Sequence, residues 1–359
     1  MAILYITRSY SNNKGGKEIY NYNLVNSLKN KEDIKLISTS GSIFNLIWFY
    51  PYSFILGLYY CFSKDVKWIH TGDTFMLPVT MVLTVLFNKK LSLTIYGLDI
   101  TYNSIIYQSI FTPLARKCDK IIVISKATKD EVIKKGIKEE KIIIIPCGIN
   151  IEEFQINNPD KVRLKKEIEN QFNLDLKNKK IIITVGRLVK RKGVEWFIEN
   201  VMPKLNKDYI YLVSGEGEEK ENIKKTIEQT NQKDKVFMLG RTDNITLKKL
   251  YHISDVFIMP NIKVEGDMEG FGIVAIEASS VGLPIVASNI EGIKDAIQNN
   301  KTGILVNEKD VNGFIKAIKS ANKLNKIKMK SIIKNNFSWD IVAKEYLEVW
   351  KWRKKEFPL

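Results

Sequence analysis

The sequence predicts an α/β protein with two doubly wound, Rossmann-like domains. The chain of 359 residues is longer than a single hydrophobic core usually spans. Short runs of β-branched residues alternate with helical stretches, which predicts parallel strands with helices on both faces of the sheet. The alternation is interrupted once, between Pro146 and Lys179, and then begins again.

The first series contains six strand-like runs, most of them continuously apolar, as expected of strands that helices cover on both faces. These runs are Ala2–Ile6, Ile34–Ile37, Trp68–His70, Leu91–Ile95, Lys120–Ile124 and Lys141–Ile145. The second series contains five runs of the same kind. They are Ile181–Val185, Tyr209–Val213, Lys235–Leu239, Val256–Met259 and Ile285–Ala287.

The interruption at residues 146–179 contains prolines, a glycine and a charged helical stretch, and we interpret it as a linker. We therefore expect an N-terminal domain of residues 1–160 and a C-terminal domain of residues 161–337, with an amphipathic helix at residues 338–359. Ligands of such sheets bind beyond the carboxyl ends of the strands. Two domains facing each other would form a cleft, where binding sites concentrate.

The formal net charge of +16, from 56 Lys and Arg against 40 Asp and Glu, favours partners that carry phosphates or an anionic membrane face. The basic stretches at residues 129–141 and 322–334 lack the interleaved aromatic residues of a single-strand binding groove. Because no zinc-finger or RNA-recognition signature occurs either, nucleic acid is not an expected partner.

Cysteine and histidine do not indicate a metal site. Cys61, Cys118 and Cys147 have no metal-like spacing and are expected as buried, reduced thiols. His70 and His252 lie too far apart in sequence to suggest a metal pair. His252 is expected to be structural, whereas His70 ends a strand and could equally face a ligand or lie in the core.

A long uncharged stretch, from Leu36 to Ser63, has to be weighed as a membrane span. A span needs about 20 apolar residues, but Pro51, Gly57 and scattered polar residues interrupt this one. We favour a buried helix, or a hydrophobic lip that rests on a bilayer surface. Residues 1–10 are predicted as a strand and not as a leader peptide, so a cytoplasmic location is expected, including the inner face of the membrane.

The segment from Glu269 to Glu277 carries the strongest binding signal. Its pattern predicts a helix that starts near Gly272 and ends before Gly282. The free N–H groups of the first turn and the helix dipole make a helix N-terminus a natural anion site. The residues expected around this anion site are Gly270, Phe271, Gly272, Ile273 and Val274.

Each glutamate of this segment has a structural and a functional interpretation. Glu277 lies just over one turn into the helix. It could cap the helix or form a local salt bridge, or it could accept two hydrogen bonds from the vicinal diol of a ribose. Glu269, in the loop before the helix, could be solvated or could meet a sugar hydroxyl. The neighbouring glycines and the helix start favour the functional interpretation for both residues.

A second signal is the loop Gly186-Arg187-Leu-Val-Lys-Arg-Lys192-Gly193, which follows directly on a predicted strand. Taken alone it is an ordinary basic turn. At the carboxyl end of a strand, however, Arg187 and Lys192 could hold a pyrophosphate against the helix N-terminus. Lys14-Gly15-Gly16 follows the first strand, and it is neither a dinucleotide fingerprint nor a phosphate-binding loop ending in Lys-Ser/Thr.

Taken together, these segments resemble glycosyltransferase family 4 (glycosyl transferases group 1), retaining enzymes of the GT-B fold with two Rossmann-like domains. The resemblance runs over nearly the whole chain. It is carried by Gly186-Arg187-Leu188 with Lys192-Gly193, by Glu269 and Glu277 with seven residues between them, by Gly15-Gly16, and by Phe337-Ser338-Trp339. The last of these is similar to the start of a closing helix that returns to the N-terminal domain.

The resemblance implies the transfer of a hexose from a nucleotide-diphosphate sugar, such as a UDP- or GDP-sugar, to a glycan or lipid-linked acceptor. It implies that Glu277 holds the donor ribose and that Arg187, Lys192 and Gly186 lie at the pyrophosphate. Glu269 and the amides from Gly270 onward would contact the transferred sugar, with Gly15 and Gly16 near donor phosphate and acceptor. Retention of the anomeric configuration and independence from metal ions are implied as well.

The sequence departs from the family pattern in the N-terminal domain. Many members carry a histidine before a Gly-x-Asp segment, and here Tyr96 stands at that position, before Gly97 and Asp99. Tyrosine can donate a hydrogen bond but is not cationic at neutral pH. Two other functions stay open: a nucleotide-sugar epimerase on the same fold, and a non-catalytic adaptor that binds nucleic acid or membrane through its basic surface.

Overall fold

The computed structural model describes residues 1–12, 15–40, 43–102 and 104–351, and for Ile43, Leu98 and Ile106 the backbone only. Lys14 and residues 352–359 of the expected closing helix lie outside the described residues. The chain forms two compact units. Unit 1 is Met1–Gly148 together with the segment that starts at Phe337, and unit 2 is Ile149–Asn336.

Unit 1 is built on a parallel six-stranded sheet with the order β2-β1-β3-β4-β5-β6. Its strands are β1 Ala2–Thr7, β2 Asp33–Ser38, β3 Val66–Thr71, β4 Lys90–Ile95, β5 Lys120–Val123 and β6 Ile142–Ile144. Its helices, in chain order, are α1 Gly16–Lys29, α2 Leu46–Cys61, α3 Leu77–Phe87, α4 Leu98–Thr101, α5 Ile105–Lys117 and α6 Lys126–Lys134. All six predicted strands of the first series are confirmed.

Unit 2 contains a second parallel sheet, with the order β12-β11-β10-β7-β8-β9. Its helices are α7 Ile151–Phe154, α8 Lys161–Phe172, α9 Val194–Asn200, α10 Lys220–Gln229, α11 Asn244–Ile253, α12 Ile273–Ser280, α13 Ile293–Ala296, α14 Val311–Ser320 and α15 Lys326–Phe337. Its strands are β7 Lys180–Val185, β8 Tyr209–Ser214, β9 Val236–Gly240, β10 Val256–Met259, β11 Ile285–Ser288 and β12 Gly303–Val306. Five strands were predicted, and the structure adds the short edge strand β12.

Side-chain caps explain where many of these helices begin. The side chains of Ser104, Ser125, Asp160, Asp243 and Asp310 each accept a hydrogen bond from a first-turn N–H group, at the starts of α5, α6, α8, α11 and α14. A cap of this kind pairs a donor that the helix itself cannot satisfy.

Two parallel sheets with helices between the strands confirm the predicted α/β class.

Residues 149–160, which the sequence assigned to the N-terminal domain and to a linker, pack in unit 2. The Phe154 side chain is buried, and its carbonyl accepts a hydrogen bond from His252 at 3.0 Å. The Gln155 side chain donates to the carbonyl of Ser280 at 2.9 Å. This apolar and hydrogen-bonded contact moves the boundary between the units from residue 160 to Gly148.

The closing helix α16, Trp339–Lys351, packs in unit 1, as predicted. Trp350 donates from Nε1 to Ser92 Oγ at 2.9 Å, and its carbonyl accepts from Trp68 Nε1 at 2.7 Å. The hydroxyl of Tyr346 lies 2.7 Å from Thr94 Oγ1 and 3.0 Å from the hydroxyl of Tyr20. The buried polar groups of Trp350 and Tyr346 therefore meet partners on the sheet and on α1.

Tyr346→Phe is expected to lower the free energy of unfolding by about 1–2 kcal/mol, because the hydroxyls of Thr94 and Tyr20 then lose a buried partner. Urea unfolding followed by tryptophan fluorescence measures the change. Tyr59→Phe, at a side chain that is 72% exposed, is the control and should stay within about 0.5 kcal/mol of the parent. Equal effects in both variants would contradict the role of this hydrogen-bond network.

Candidate donor site in unit 2

The candidate site lies where the strand order of the second sheet reverses. Strand β7 pairs with β8 on one side and with β10 on the other, so consecutive crossovers leave in opposite directions. Ligands of doubly wound sheets bind at the carboxyl ends of the strands beside such a reversal. The two loops that leave this edge are residues 186–193, after β7, and residues 260–272, after β10.

The two loops touch through their backbones at Gly193. This residue has φ of 63°, and a Cβ atom built on it would lie 2.0 Å from the carbonyl oxygen of Pro260. The N–H of Ile262 donates to the carbonyl of Arg191 at 3.0 Å. Only glycine allows this approach, and the approach brings the basic loop against the acidic one.

A charge cluster forms at this contact. Glu269 is 8% exposed, and its Oε2 atom lies 2.5 Å from Arg191 Nη1 and 2.5 Å from Lys192 Nζ. Asn261 Nδ2 donates to the same oxygen at 3.1 Å, and Arg191 Nε reaches Asp267 Oδ1 at 2.9 Å. A buried charge is tolerated only when it is paired and hydrogen-bonded, and here both conditions are met.

The cluster fixes the protonation state of Glu269. Burial raises the pKa of its carboxyl group, but Lys192 and Arg191 beside it more than offset burial, and the pKa lies below its ordinary value. Glu269 is therefore a carboxylate at neutral pH. It can accept hydrogen bonds, but it has no proton to give to a leaving group.

The Glu269 backbone is held by Glu291, and Asn261 beside it carries an acceptor atom that is open to a ligand. The N–H of Glu269 donates to Glu291 Oε2 at 2.6 Å, and burial raises the pKa of Glu291. The Oδ1 atom of Asn261 is buried and has no hydrogen-bond partner among the described residues. Buried acceptors are rarely left unpaired, so this atom is suited to a ligand hydroxyl.

Helix α12 begins at the predicted place. Its N-cap residue, Gly272, has φ of 83°, which favours glycine, and no side chain within the described part of the chain caps the first turn. Ile273 and Val274, the first two helical residues, are half-buried, and Phe271 is buried. The first-turn N–H groups and the helix dipole can therefore hold an anion here.

Glu277 lies on α12, and the structure gives it a partner other than the charge cluster. The Tyr251 hydroxyl, from α11, donates to Glu277 Oε2 at 2.9 Å. Burial raises the pKa of Glu277 to about 7, although the hydrogen bond from Tyr251 lowers it. Near neutral pH this carboxyl group is therefore close to half-ionised, and it gains acceptor capacity as the pH rises.

Glu277→Gln is expected to stabilise the protein at pH 8 by about 1–3 kcal/mol and to have little effect at pH 4.5. The pKa in the folded state lies above the ordinary 4.5, so folding loses stability as the pH rises from 4.5 through about 7. Glutamine removes this loss because it cannot ionise. Urea unfolding at the two pH values measures the difference, and the exposed Glu265→Gln, which should show none, is the control.

The second expected phosphate ligand, Arg187, is not part of the cluster. Its side chain is exposed, whereas Lys192 is 9% exposed and lies against Gly186. Arg191 joins Lys192 in the cluster, and the phosphate contact expected of Arg187 stays a prediction. Lys192 was a candidate from its place in the basic loop, but nothing in the sequence distinguished Arg191 from the rest of the basic run.

The remaining predicted residues, Gly15 and Gly16, lie in unit 1. Gly15 has φ of 55° and is the N-cap residue of α1. At the carboxyl edge of this sheet Tyr96 donates from its hydroxyl to Asn21 Oδ1 at 3.1 Å, and Asp99 forms an ion pair with Lys17. Burial raises the pKa of Tyr96 well above its ordinary value, so its hydroxyl stays neutral.

Both histidines are structural. His70 is fully buried between Ser92 Oγ, 2.9 Å from Nδ1, and Thr94 Oγ1, 3.2 Å from Nε2, and burial lowers its pKa to about 3. It therefore cannot face a ligand. All three cysteines are buried, as expected. Within the described ranges no three His, Cys, Asp or Glu side chains are grouped as metal ligands.

Two family models match the chain. The model of glycosyl transferases group 1 matches residues 165–339, and that of glycosyltransferase family 4 matches residues 15–153. An uncharacterized glycosyltransferase of Methanocaldococcus jannaschii is 32% identical over 245 residues, which are 65% of this chain and 60% of that protein. The UDP-Gal:α-D-GlcNAc-diphosphoundecaprenol α-1,3-galactosyltransferase of Escherichia coli is 31% identical over 57% of this chain and 51% of its own length.

The chain thus spans about half to 60% of the length of these two curated relatives. Among solved structures, HepE of Anabaena in complex with UDP is similar with a TM-score of 0.78 at 16% identity, over 98% of this chain and 99% of that one. At this identity the likeness shows the fold, which is the expected GT-B fold. With both family models matched in chain order, the protein belongs to the group 1 glycosyl transferases of glycosyltransferase family 4.

Proposed function

We propose that the protein is a retaining glycosyltransferase that transfers a hexose from a nucleotide-diphosphate sugar to a glycan or lipid-linked acceptor. The observation that carries the proposal is the pairing of Lys192 and Arg191 with Glu269 beside the N-terminus of α12. Cations, free amides and a fixed carboxylate at one sheet edge suit a ligand that has both phosphates and hydroxyl groups.

The donor can be assigned to unit 2 group by group. The diphosphate would lie between Lys192 and the first-turn amides of α12, with the exposed Arg187 as an additional cation from the same loop. The ribose diol would donate to Glu277, which Tyr251 orients through a hydrogen bond of 2.9 Å. The hexose would meet the Glu269 carboxylate and the unpaired Oδ1 atom of Asn261.

The chemistry that follows is stabilisation of the departing nucleoside diphosphate. Negative charge grows on the leaving phosphate in the transition state, and a fixed ammonium group at that oxygen lowers the barrier without having to reorganise. The anomeric C–O bond to the diphosphate breaks, the acceptor oxygen bonds to the anomeric carbon, and the acceptor proton passes to the leaving phosphate. Neither glutamate then needs to move a proton, and Glu277 serves the ribose. We expect transfer to retain the anomeric configuration and to proceed in EDTA.

The named relatives support the choice of donor and acceptor. The E. coli relative bears a name that specifies UDP-galactose and a diphosphoundecaprenol-linked acceptor, and HepE was solved with UDP. We therefore propose a UDP-sugar as the donor of this chain, with a GDP-sugar as the alternative donor. The acceptor, of the glycan or lipid-linked class, is assigned to unit 1.

A thermal-shift screen against UDP-, GDP- and ADP-sugars tests donor binding, because a ligand that binds only the folded protein raises its Tm. We expect one nucleotide class to raise Tm by several degrees and the corresponding Glu277→Ala variant to lose most of that shift. The selected donor is then incubated with lipid-linked acceptors, and the anomeric configuration of the product is read by NMR. The expected product keeps the configuration of the donor.

Three results would each overturn the proposal. One is the absence of any nucleotide-dependent shift. Another is conversion of the donor without an acceptor, which would make the protein an epimerase. The third is an inverted product. Full transfer activity in Glu277→Ala would instead remove the assignment of the ribose site while leaving the reaction class in place.

A further inference from the structure

An apolar surface in unit 1 is exposed to solvent over the whole length of α2. The exposed large side chains follow one another at helical spacing, from the 3-10 turn before α2 to the residue after it. They are Phe44, Ile47, Trp48, Tyr52, Ile55, Tyr59 and Phe62. On α3 the residues Val82, Val85 and Leu86 are exposed at the same spacing. We refer to these ten side chains as the apolar ridge.

The side of α2 opposite the ridge is packed in the interior of unit 1. The opposite stripe of α2, with Phe49, Ser53, Gly57 and Cys61, is buried against the rest of unit 1. A Cβ atom built on Gly57 would lie 2.3 Å from Leu83 Cδ1, so the glycine lets α3 approach α2 closely. The two exposed stripes therefore form one continuous surface on adjacent helices.

The degree of exposure sets this surface apart from an ordinary scatter of apolar residues. Ile47 is 80% exposed, Phe62 76%, Val85 73% and Ile55 66%, and no charged residue occurs between Leu36 and Ser63. Helices of soluble domains carry charged or polar residues on the solvent face. A contiguous apolar patch of this extent indicates an interaction surface.

Basic residues border the ridge where α2 and α3 end. Lys89 donates to the carbonyl of Ser63 at 3.2 Å and so ties the two helix ends together. A cavity of about 580 Å³ opens at this border, and its lining includes Lys67, Lys89, Lys90 and Lys351 together with Glu32 and Phe87. The rings of Phe62 on the ridge and Phe87 at the cavity lie 5.1 Å apart. An apolar surface thus continues into a lysine-lined cavity.

We propose that the apolar ridge docks on an anionic lipid bilayer, with the lysines of the cavity at the level of the lipid phosphates. An apolar face inserts to the boundary of headgroups and acyl chains, while adjacent lysines gain from the negative surface potential. Trp48, Tyr52 and Tyr59 have the amphipathic rings that favour this boundary. No helix among the described residues is long and apolar enough to cross a bilayer.

Charge favours a bilayer over a second copy of the chain as occupant of the ridge. Two copies would bring net charges of +16 and two sets of border lysines towards each other. An anionic bilayer offers the opposite sign. The docking extends the proposed function to a lipid surface, and because it concerns binding alone, it can fail or succeed independently of the transfer reaction.

Vesicle flotation of the full chain tests the docking. The protein is mixed with phosphatidylcholine vesicles that contain about 30% phosphatidylglycerol, or none, at about 0.1 M salt. We expect strong flotation with the anionic vesicles only, and weakening of that binding at about 1 M salt. The triple variant Ile47→Gln, Ile55→Gln, Tyr59→Gln should lower the vesicle partition coefficient at least about tenfold, and Lys67→Gln with Lys90→Gln should lower it on anionic vesicles.

The matched control is Val162→Gln, Ile245→Gln, Ile327→Gln, three residues of unit 2 that are 80%, 69% and 83% exposed. It replaces three apolar side chains of similar fractional exposure and should float like the parent. Equal loss of binding in this control, or no binding of the parent to anionic vesicles, would overturn the proposal. So would a parent dimer in gel filtration that the ridge variant converts to monomer, since a second copy would then cover the ridge. Thermal unfolding verifies that each variant is folded.

Discussion

Replacing Lys192 with methionine is expected to lower kcat/KM for the donor sugar at least about 100-fold. Methionine keeps the length and apolar stem of the side chain, so the variant loses the ammonium group and little else. Lys192 is 9% exposed and its ammonium group lies 2.5 Å from Glu269, so in the proposed donor site it would act on phosphate with little solvent screening. Removing one fixed stabilising group of this kind costs about 3–4 kcal/mol of transition-state stabilisation.

The control for this variant is Lys190→Met, two positions earlier in the same loop. The Lys190 side chain is exposed, so the substitution removes the same charge from the same loop but not from the cluster. Initial rates over a range of donor concentrations should show a loss within about threefold, in keeping with a screened surface charge. Similar losses in both variants would mean that the general positive field, and not the Lys192 ammonium, supports turnover.

Glu269→Gln is expected to remove most turnover, again at least about 100-fold, and to destabilise unit 2 by about 3 kcal/mol. The carboxylate is the common partner of Arg191 and Lys192, and glutamine leaves Lys192 without its counter-charge and Arg191 with Asp267 alone. Binding of the nucleoside diphosphate itself should persist or become tighter, because Lys192 is no longer neutralised. Calorimetric titration with UDP, alongside initial rates and urea unfolding, separates the three effects.

The exposed Glu265, in the same loop, gives the matched variant Glu265→Gln, which should leave stability and rates nearly unchanged. Retained turnover in Glu269→Gln would remove the sugar contact assigned to this residue. Loss of UDP binding would mean that the carboxylate shapes the phosphate site instead of competing for its cations.

Much of the fold could be predicted because its signals are local. Parallel strands that are covered on both faces leave continuous apolar runs, and the runs at Ala2–Ile6 and Tyr209–Val213 are strands in the structure. Strand β12 was missed because its run, Gly303–Val306, begins with a glycine and contains only three apolar residues. The domain boundary was misplaced because Phe154 packs in unit 2, and sequence pattern does not reveal which core a lone aromatic residue joins.

The site could be predicted in part for the same reason. The start of α12 is marked by Gly272, a local signal, and Glu269 and Lys192 were candidates from the loops in which they lie, as well as from the resemblance. Arg191 could not be chosen over Arg187, because both lie in one basic run and differ only in which way the loop turns. The acceptor atom of Asn261 likewise becomes visible only when β10 and the loop after it are placed in three dimensions.

The path of the chain has a practical consequence for dissecting this protein. Unit 1 is discontinuous, since it is formed by residues before Gly148 and by α16, which arrives after the whole of unit 2. A fragment cut after Gly148 would expose the sheet face that α16 covers. Met1 and Lys351, however, line one cavity, so a short designed linker would join α16 to the start of β1. Such a circular permutant would make unit 1 one contiguous gene segment, suited to separate expression.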